Sequence, residues 1–379
     1  MGRSLGLKPK PLEYVSPSRV AKLEACFLQV VFDATPRYRG KKFLGPRARL
    51  GAACHALLAR ITRGELAGIP RAEWRSKLEH LWNEEIAEEE RLSQESPLEE
   101  HFGPARRWPG YAIQKARAMR KAQVILERRL QARSWTGRTW AERSYQAYQG
   151  RLRGRADVVY WSGEYAEIQD YKTGSIYERQ EQGDNVLKSH YRKQILLYAA
   201  MRHDSTGIWP ASGHIVSLTG DRESVDIDPA ESEREVEVAL ELLERFNAQV
   251  SREHNSYALT SPSPEACRFC GYKAYCEPFW IRVSSDWGCS KNVAVDGLVI
   301  GVLTHVMADW TIQIQVRRGN VHQGVYQVCG SRRVELEEGQ RLRAINLMHG
   351  ETEEPTVLVA TDYTELWTES LMKNYIDVE

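Results

Sequence analysis

Between residues 111 and 172 the spacing of apolar side chains changes period, and this change constrains the fold most tightly. Tyr111 to Ala132 repeats apolar residues at helical spacing. TWAERSYQAYQ, LRGRADVVYW and YAEIQDYK then alternate or run apolar over strand lengths, with turns at Gly150 and Ser162-Gly163. Three such runs in succession predict an antiparallel meander. SHYRKQILLYAAMRH returns to helix, GHIVSL reads as a short strand, and ESEREVEVALELLERFNAQV as a long amphipathic helix. The predicted class is α/β.

Upstream, SPSRVAKLEACFLQVVF reads as one helix, with Pro17 in its first turn and Cys26 inside it. Further helices are expected over Pro46 to Thr62 and Trp74 to Arg91, with a loop over Glu95 to Gly110. From about Ser284 the pattern shifts to closely spaced β-like runs: VAVDGLVIGVL, WTIQIQV, GVYQVCG, QRLRAINL and PTVLVATDY. Strands without intervening helices suggest a small barrel or sandwich. Two domains are expected, 1–283 (with a helical insertion about 63–135) and 284–379, in a chain of 379 residues.

The net charge of +1 conceals an asymmetry. From Gly103 to Arg155 there are fourteen Lys and Arg, opposed only by Glu127 and Glu142. Such a stretch suits contact with phosphates. The preceding acidic run, with Glu84, Glu85, Glu88, Glu89 and Glu90, reads as a solvated helix face. No apolar run reaches the roughly 18 residues of a membrane span. The N-terminus lacks a signal-like apolar core, so a cytoplasmic protein without membrane contact is expected. No Gly-rich phosphate loop ending in Lys-Ser/Thr is present, which argues against a motor ATPase.

The basic stretch leads into Gly154 to Val159 (GRADVV) and Glu167 to Gly174 (EIQDYKTG). These supply Asp157 and, thirteen positions on, Asp170, followed by Lys172. Asp170 and Lys172 share one face of a strand, because alternate residues do. Two carboxylates from adjacent strands suit Mg²⁺ or Mn²⁺, which polarises a phosphate and acidifies a water. A nearby Lys can orient that water or stabilise developing charge. The Tyr171 carbonyl is a further candidate ligand. Glu142 enters the same site or pairs with an Arg. A lone Asp-x-Lys is usually a surface ion pair; the Gly-x-x-Asp before it and Thr-Gly after it make this one specific. His55 alone reads as a structural His, and Gln194 and Tyr198, one turn apart, share a helix face.

Cys267, Cys270 and Cys276 give C-x₂-C-x₅-C among seven Cys, too few for a disulfide scaffold. Zinc and a [4Fe–4S] cluster both suit such thiols, with Cys26 as the distant fourth candidate. Cys54, Cys289 and Cys329 read as ordinary thiols.

Taken together, these motifs resemble the RecB-like branch of the PD-(D/E)XK nucleases, and within it the iron–sulfur members of AddB type and CRISPR-associated RecB-like exonucleases. The likeness covers about residues 14 to 280. GAACHALL resembles the family's Gly-x-x-x-His helix, which implies His55 as a metal ligand. GRAD and QDYKTG resemble its metal-binding strands, implying Asp157 and Asp170 as ligands and Lys172 as catalytic. QILLY resembles its Gln-x-x-x-Tyr helix, implying that Gln194 and Tyr198 hold DNA or the active site. Cys26 with Cys267, Cys270 and Cys276 resembles its split cluster. Gln169 stands where many members carry an apolar residue. The resemblance implies a restriction-endonuclease-like core and a Mg²⁺- or Mn²⁺-dependent deoxyribonuclease, expected to be an exonuclease on single strands or DNA ends. Repair, recombination and anti-phage or CRISPR-type defence all use this core, with a helicase or defence-complex subunit as partner. The competing expectation is a non-catalytic or redox-regulated DNA-binding subunit. The C-terminal region looks like an OB-type barrel, with Trp287, Trp310, Tyr326, Arg317 and Arg318 as candidates to grip a single strand.

Overall fold

The computed structural model describes residues 9–371 apart from 40–41, 97–98, 132–137, 180–184, 254–255, 289–294, 307–310, 331–335, 351–356 and 362. Helices α1 (Pro17–Ala25), α2 (Phe27–Ala34), α3 (Pro36–Arg39), α4 (Gly45–Arg63), α5 (Trp74–Gln94) and α6 (Tyr111–Gln131) come first. Strands β1 (Arg138–Ala147), β2 (Leu152–Ser162) and β3 (Tyr165–Lys172) form the expected antiparallel meander. The short hairpin β4 (Tyr177–Arg179) and β5 (Asn185–Leu187) follows, then α7 (Ser189–Thr206), β6 (Ser212–Ser217) and β7 (Arg222–Val225). The main sheet has the order β1-β2-β3-β6-β7. Its β3–β6 pair is parallel, and α7 supplies the crossover that a parallel pair requires.

Helices cover both faces of this sheet. One core joins Leu23, Phe32, Leu196, Leu243 and Phe246 of the helices to Val159, Ile168 and Ile215 of the strands. The other packs α4, α5 and α6 over Val158, Tyr171 and Val216. Helix α8 (Pro229–Arg252) lies on the first side; its N-cap Asp228 accepts from the Ala230 N–H (2.9 Å).

The single helix expected across SPSRVAKLEACFLQVVF is two helices. Cys26 is extended (φ −167°, ψ 119°), ending α1 and beginning α2. Val30, Val31 and Phe32 are consecutive and all buried. Consecutive side chains cannot share one helix face, so α2 must be enclosed on several sides, and the break re-aims it.

After α9 (Pro264–Arg268) and α10 (Glu277–Arg282) come β8 (Val295–Val306), β9 (Thr311–Gly319), β10 (Gly324–Cys329), β11 (Arg341–His349), β12 (Val357–Val359) and β13 (Glu365–Thr368). The order is β12-β10-β9-β8-β11-β13, and β12 also pairs with β11, so five strands close a ring. Ile312, Ile314, Val316, Val328, Leu342 and Leu358 fill it. This separate sheet is compatible with an OB-like barrel. Strands β7 and β13 had no sequence signal strong enough to anticipate.

The ring is docked against the cysteine segment through buried charge. Lys273 Nζ donates to Asp296 Oδ2 (2.8 Å) and Asn346 Oδ1 (3.3 Å). Arg343 donates to Ala274 O (3.0 Å) and pairs with Glu277. Asn346 adopts φ +59° in the irregular part of β11, and its amide donates to Tyr363 O (3.0 Å). Among the described residues no helix is long and apolar enough to cross a membrane.

Candidate active site

Strands β2 and β3 pair only up to Val158–Gln169, and beyond that point they part. The backbone groups freed at this fork are taken up by side chains, as buried backbone groups require. The Tyr171 N–H donates to Asp157 Oδ2 (2.8 Å). The Arg155 carbonyl accepts from the Tyr198 hydroxyl (2.8 Å).

Glycines permit the close approach that builds the fork. A Cβ at Gly154 would lie 2.8 Å from Pro17 and 3.0 Å from the Tyr198 ring. At Gly51 it would lie 2.9 Å from the Thr173 hydroxyl. The Gly of GRAD thus seats α7 on β2, and the Gly of GAACH seats α4 on the end of β3.

Asp170 is 3% exposed. Its Oδ1 accepts from Gln194 Nε2 (3.0 Å), and Lys172 Nζ donates to Gln194 Oε1 (2.9 Å). Lys172 Nζ also stands 2.5 Å from Asp170 Oδ2. That ion contact lacks hydrogen-bond alignment, and Oδ2 has no hydrogen-bond partner. The ammonium lies 4.5 Å over the Tyr191 ring. Tyr191 was not singled out in the sequence, yet it shares the helix face of Gln194 and Tyr198 at positions i, i+3 and i+7.

His55 Nδ1 is 3.5 Å from Asp157 Oδ2. Burial lowers the His55 pKa, which favours the neutral imidazole with a free lone pair. Burial first, and the Asp170 carboxylate second, push Asp157 up to about 8. A carboxyl whose charge is disfavoured by burial, set beside a second carboxylate in a fork, forms a donor set that suits a divalent cation. As the side chains stand, no three His, Cys, Asp or Glu among the described residues are gathered closely enough to clasp a metal. Asp170 is instead turned to Lys172 and Gln194.

Glu142 lies opposite Asp157 in the β1–β2 ladder, between Ala141↔Val158 and Arg143↔Ala156. Its φ is +54°, a left-handed conformation uncommon for a residue with a side chain. It pairs with Arg155 and raises the Asp157 pKa as a minor contributor. Tyr171 brings its backbone to the fork, while its ring is buried on the opposite face.

The four cysteines lie on one side of the molecule and act electrostatically on one another, but among the described residues no three of them are gathered closely enough to hold a metal. Cys26, Cys270 and Cys276 pack with Cys267 against one core. Gln29 Nε2 donates to Ala266 O (2.9 Å), tying α2 to α9. Burial pushes Cys267 up to about 11 and Cys270 up to about 12, and neighbouring thiols add to both. Such a set is costly as thiolates alone. Cys54 is isolated and buried, its thiol pushed up to about 12. Cys289 and Trp310 lie outside the described residues.

One aromatic candidate for strand binding is corrected. Tyr326 is a core residue of the ring, its hydroxyl donating to His322 O (3.0 Å). Trp287 packs edge-on against Phe279 at 5.8 Å. Tyr326 was read from residue type, which does not separate a stacking platform from a core ring; Trp287 stays half-exposed. Arg318 is also engaged, donating to Trp280 O (3.2 Å).

Among curated proteins, none matches the chain. Residues 14–277 match the family described as the PD-(D/E)XK nuclease superfamily, a span that holds the fork, α7 and Cys26, Cys267, Cys270 and Cys276. The chain therefore belongs to the PD-(D/E)XK nuclease superfamily.

Proposed function

We propose that this protein is a RecB-like, metal-dependent deoxyribonuclease that carries a [4Fe–4S] cluster. The observation that supports it most is the fork, which sets the buried Asp170 carboxylate and its Lys172 ion pair beside Asp157 and His55. Asp157, Asp170, His55 and the Tyr171 carbonyl would hold Mg²⁺ or Mn²⁺. When bound, the cation supplies Lewis-acid polarisation of the scissile phosphate and a more acidic water.

The chain's own residues do the positioning. Lys172 places its ammonium where charge develops on the phosphate. Gln194 fixes Lys172 and Asp170 together through one amide. Tyr198 holds β2 at Arg155 O, and so holds Asp157 two residues on. A module that only binds DNA gains nothing from buried carboxyls aimed at a phosphate, which disfavours the non-catalytic reading.

Cys26, Cys267, Cys270 and Cys276 would ligate the cluster and join segments about 240 residues apart in sequence, a long loop whose closure is stabilising. The domain boundary is placed near Ser284, with an OB-like barrel beyond it. The test is cleavage of end-labelled single- and double-stranded DNA, with free and blocked ends, in Mg²⁺, Mn²⁺ or chelator. Metal-dependent cleavage is expected, with activity on free ends if the enzyme is an exonuclease. No cleavage under any of these conditions overturns the nuclease reading.

A further inference from the structure

Helix α6 carries a row of cations that lack counter-charges among the described residues. Arg117, Lys121 and Arg128 are four and eleven positions apart, so they share one side of the helix. Among the described residues none of the three has an ion-pair partner. The acids that might have served are committed elsewhere. Glu127 pairs with Arg71 (2.7 Å), and Glu79 with Lys115 (2.6 Å). Glu167 is held by Arg222 (2.9 Å), Gln169 and His214.

Lys121 is the most informative of the row. It is only partly exposed, and its ammonium lies 5.3 Å over the ring of Tyr171. Among the described residues, the charges that act on it are the cations Arg128 and Arg222. A partly buried ammonium among like charges is unfavourable unless an anion joins it. Folded proteins do not keep such an arrangement for stability, so it points to a ligand.

The row also leads to the site. Gln114, on the same side of α6, donates to Thr173 O (3.4 Å), one residue beyond Lys172. From there the row runs back past Tyr171 to Arg128, which also acts on Tyr160 and Tyr171. Arg117 to Arg128 spans about 16 Å at 1.5 Å per residue, enough for several successive phosphates. A row of cations along a helix fits a polyanionic strand better than a single phosphate group.

We propose that α6 is the track on which the sugar–phosphate backbone of the substrate lies outside the active site, with Lys121 as its anchor. This rests on the nuclease reading and adds to it the path of the strand. The partner is single-stranded nucleic acid long enough to reach past the fork.

The test measures binding in chelator, without cleavage, for single-stranded oligonucleotides of about 4 and about 16 nucleotides, the range of single-strand footprints. The full-length protein is compared with Lys121→Gln and with Arg128→Gln, whose side chain is exposed and whose loss spares the fold. The double variant is expected to bind the longer strand about tenfold more weakly, with a salt slope shallower by about 0.7 for each lost contact. The shorter strand, placed at the fork, is expected to bind equally. Unchanged affinity and slope for the longer strand overturn the proposal, as does equal weakening of both lengths. So does inorganic phosphate competing as well as the longer strand, which would make the row a pocket for a small anion. Failure of the nuclease reading is distinguishable, because it shows as absent cleavage by the unmodified protein in Mg²⁺.

Discussion

The backbone N–H of Tyr171 is satisfied by the Asp157 carboxylate at 2.8 Å, where a regular ladder would offer it a carbonyl from β2. One side chain therefore both ends the strand pairing and lines the site. The fork is stable because Tyr198 does the matching work at Arg155 O.

Replacing Tyr198 with Phe leaves that carbonyl without its partner. A buried unsatisfied acceptor costs about 1–3 kcal/mol. Denaturant unfolding should show this loss. Gly154→Ala should be at least as damaging, since its Cβ meets both Pro17 and Tyr198. Unchanged midpoints for both variants would contradict the account of the fork.

Asp157 gives a pH prediction. Its carboxyl is pushed up to about 8, against about 4 in an unfolded chain. Its contribution to metal-free stability is fully present below about pH 4 and is lost as the pH rises through about 8. Asp157→Asn removes the ionisation. The variant's melting temperature relative to the parent should therefore climb between pH 5 and pH 8 in chelator. Mg²⁺ should reverse the trend in the parent and release protons near pH 7. A pH-independent difference would contradict the assignment.

The cysteine set predicts a brown protein with iron and inorganic sulfide, and with broad thiolate-to-iron absorption. Substituting Cys26, Cys267, Cys270 or Cys276 with Ser should bleach it and lower its stability. Substituting Cys54 or Cys329 should leave the colour. Zinc without iron in metal analysis would replace the cluster with a zinc site on the same four thiols.

The C-terminal ring should not be removable without damage. Deleting residues 284–379 takes away Asp296 and Asn346, the partners of buried Lys273. It also removes Trp367, which packs on Tyr275 at 6.1 Å. Breaking a buried ion pair from one side costs about 3–5 kcal/mol. The truncated chain should be poorly soluble or melt at a lower temperature. A melting curve like that of the intact protein would show the ring to be an appendage.

Much of the main fold and of the candidate site was legible because it is written locally. The meander, α7, and the spacing of Asp157, Asp170 and Lys172 each depend on a few neighbouring residues. Gln194 and Tyr198 were legible through helical spacing and the family resemblance. Other features arise from tertiary contacts that no local pattern encodes. The break at Cys26 follows from burial on several sides of α2. The left-handed backbone of Glu142 and the uncompensated charge of Lys121 appear only once strand and helix are placed. Tyr326 was misread because its place in the ring core could not be inferred from residue type.

The central claim is that Asp170 works on chemistry at a preformed site. It is tested most directly by single-turnover cleavage of end-labelled DNA in Mg²⁺, comparing the parent with Asp170→Asn and measuring DNA affinity in parallel. The account predicts that cleavage is abolished while DNA affinity stays near that of the parent. Lys172→Ala should slow cleavage by about 10²–10³-fold, as loss of a preorganised charge-stabilising group does. Full cleavage by Asp170→Asn would contradict the account.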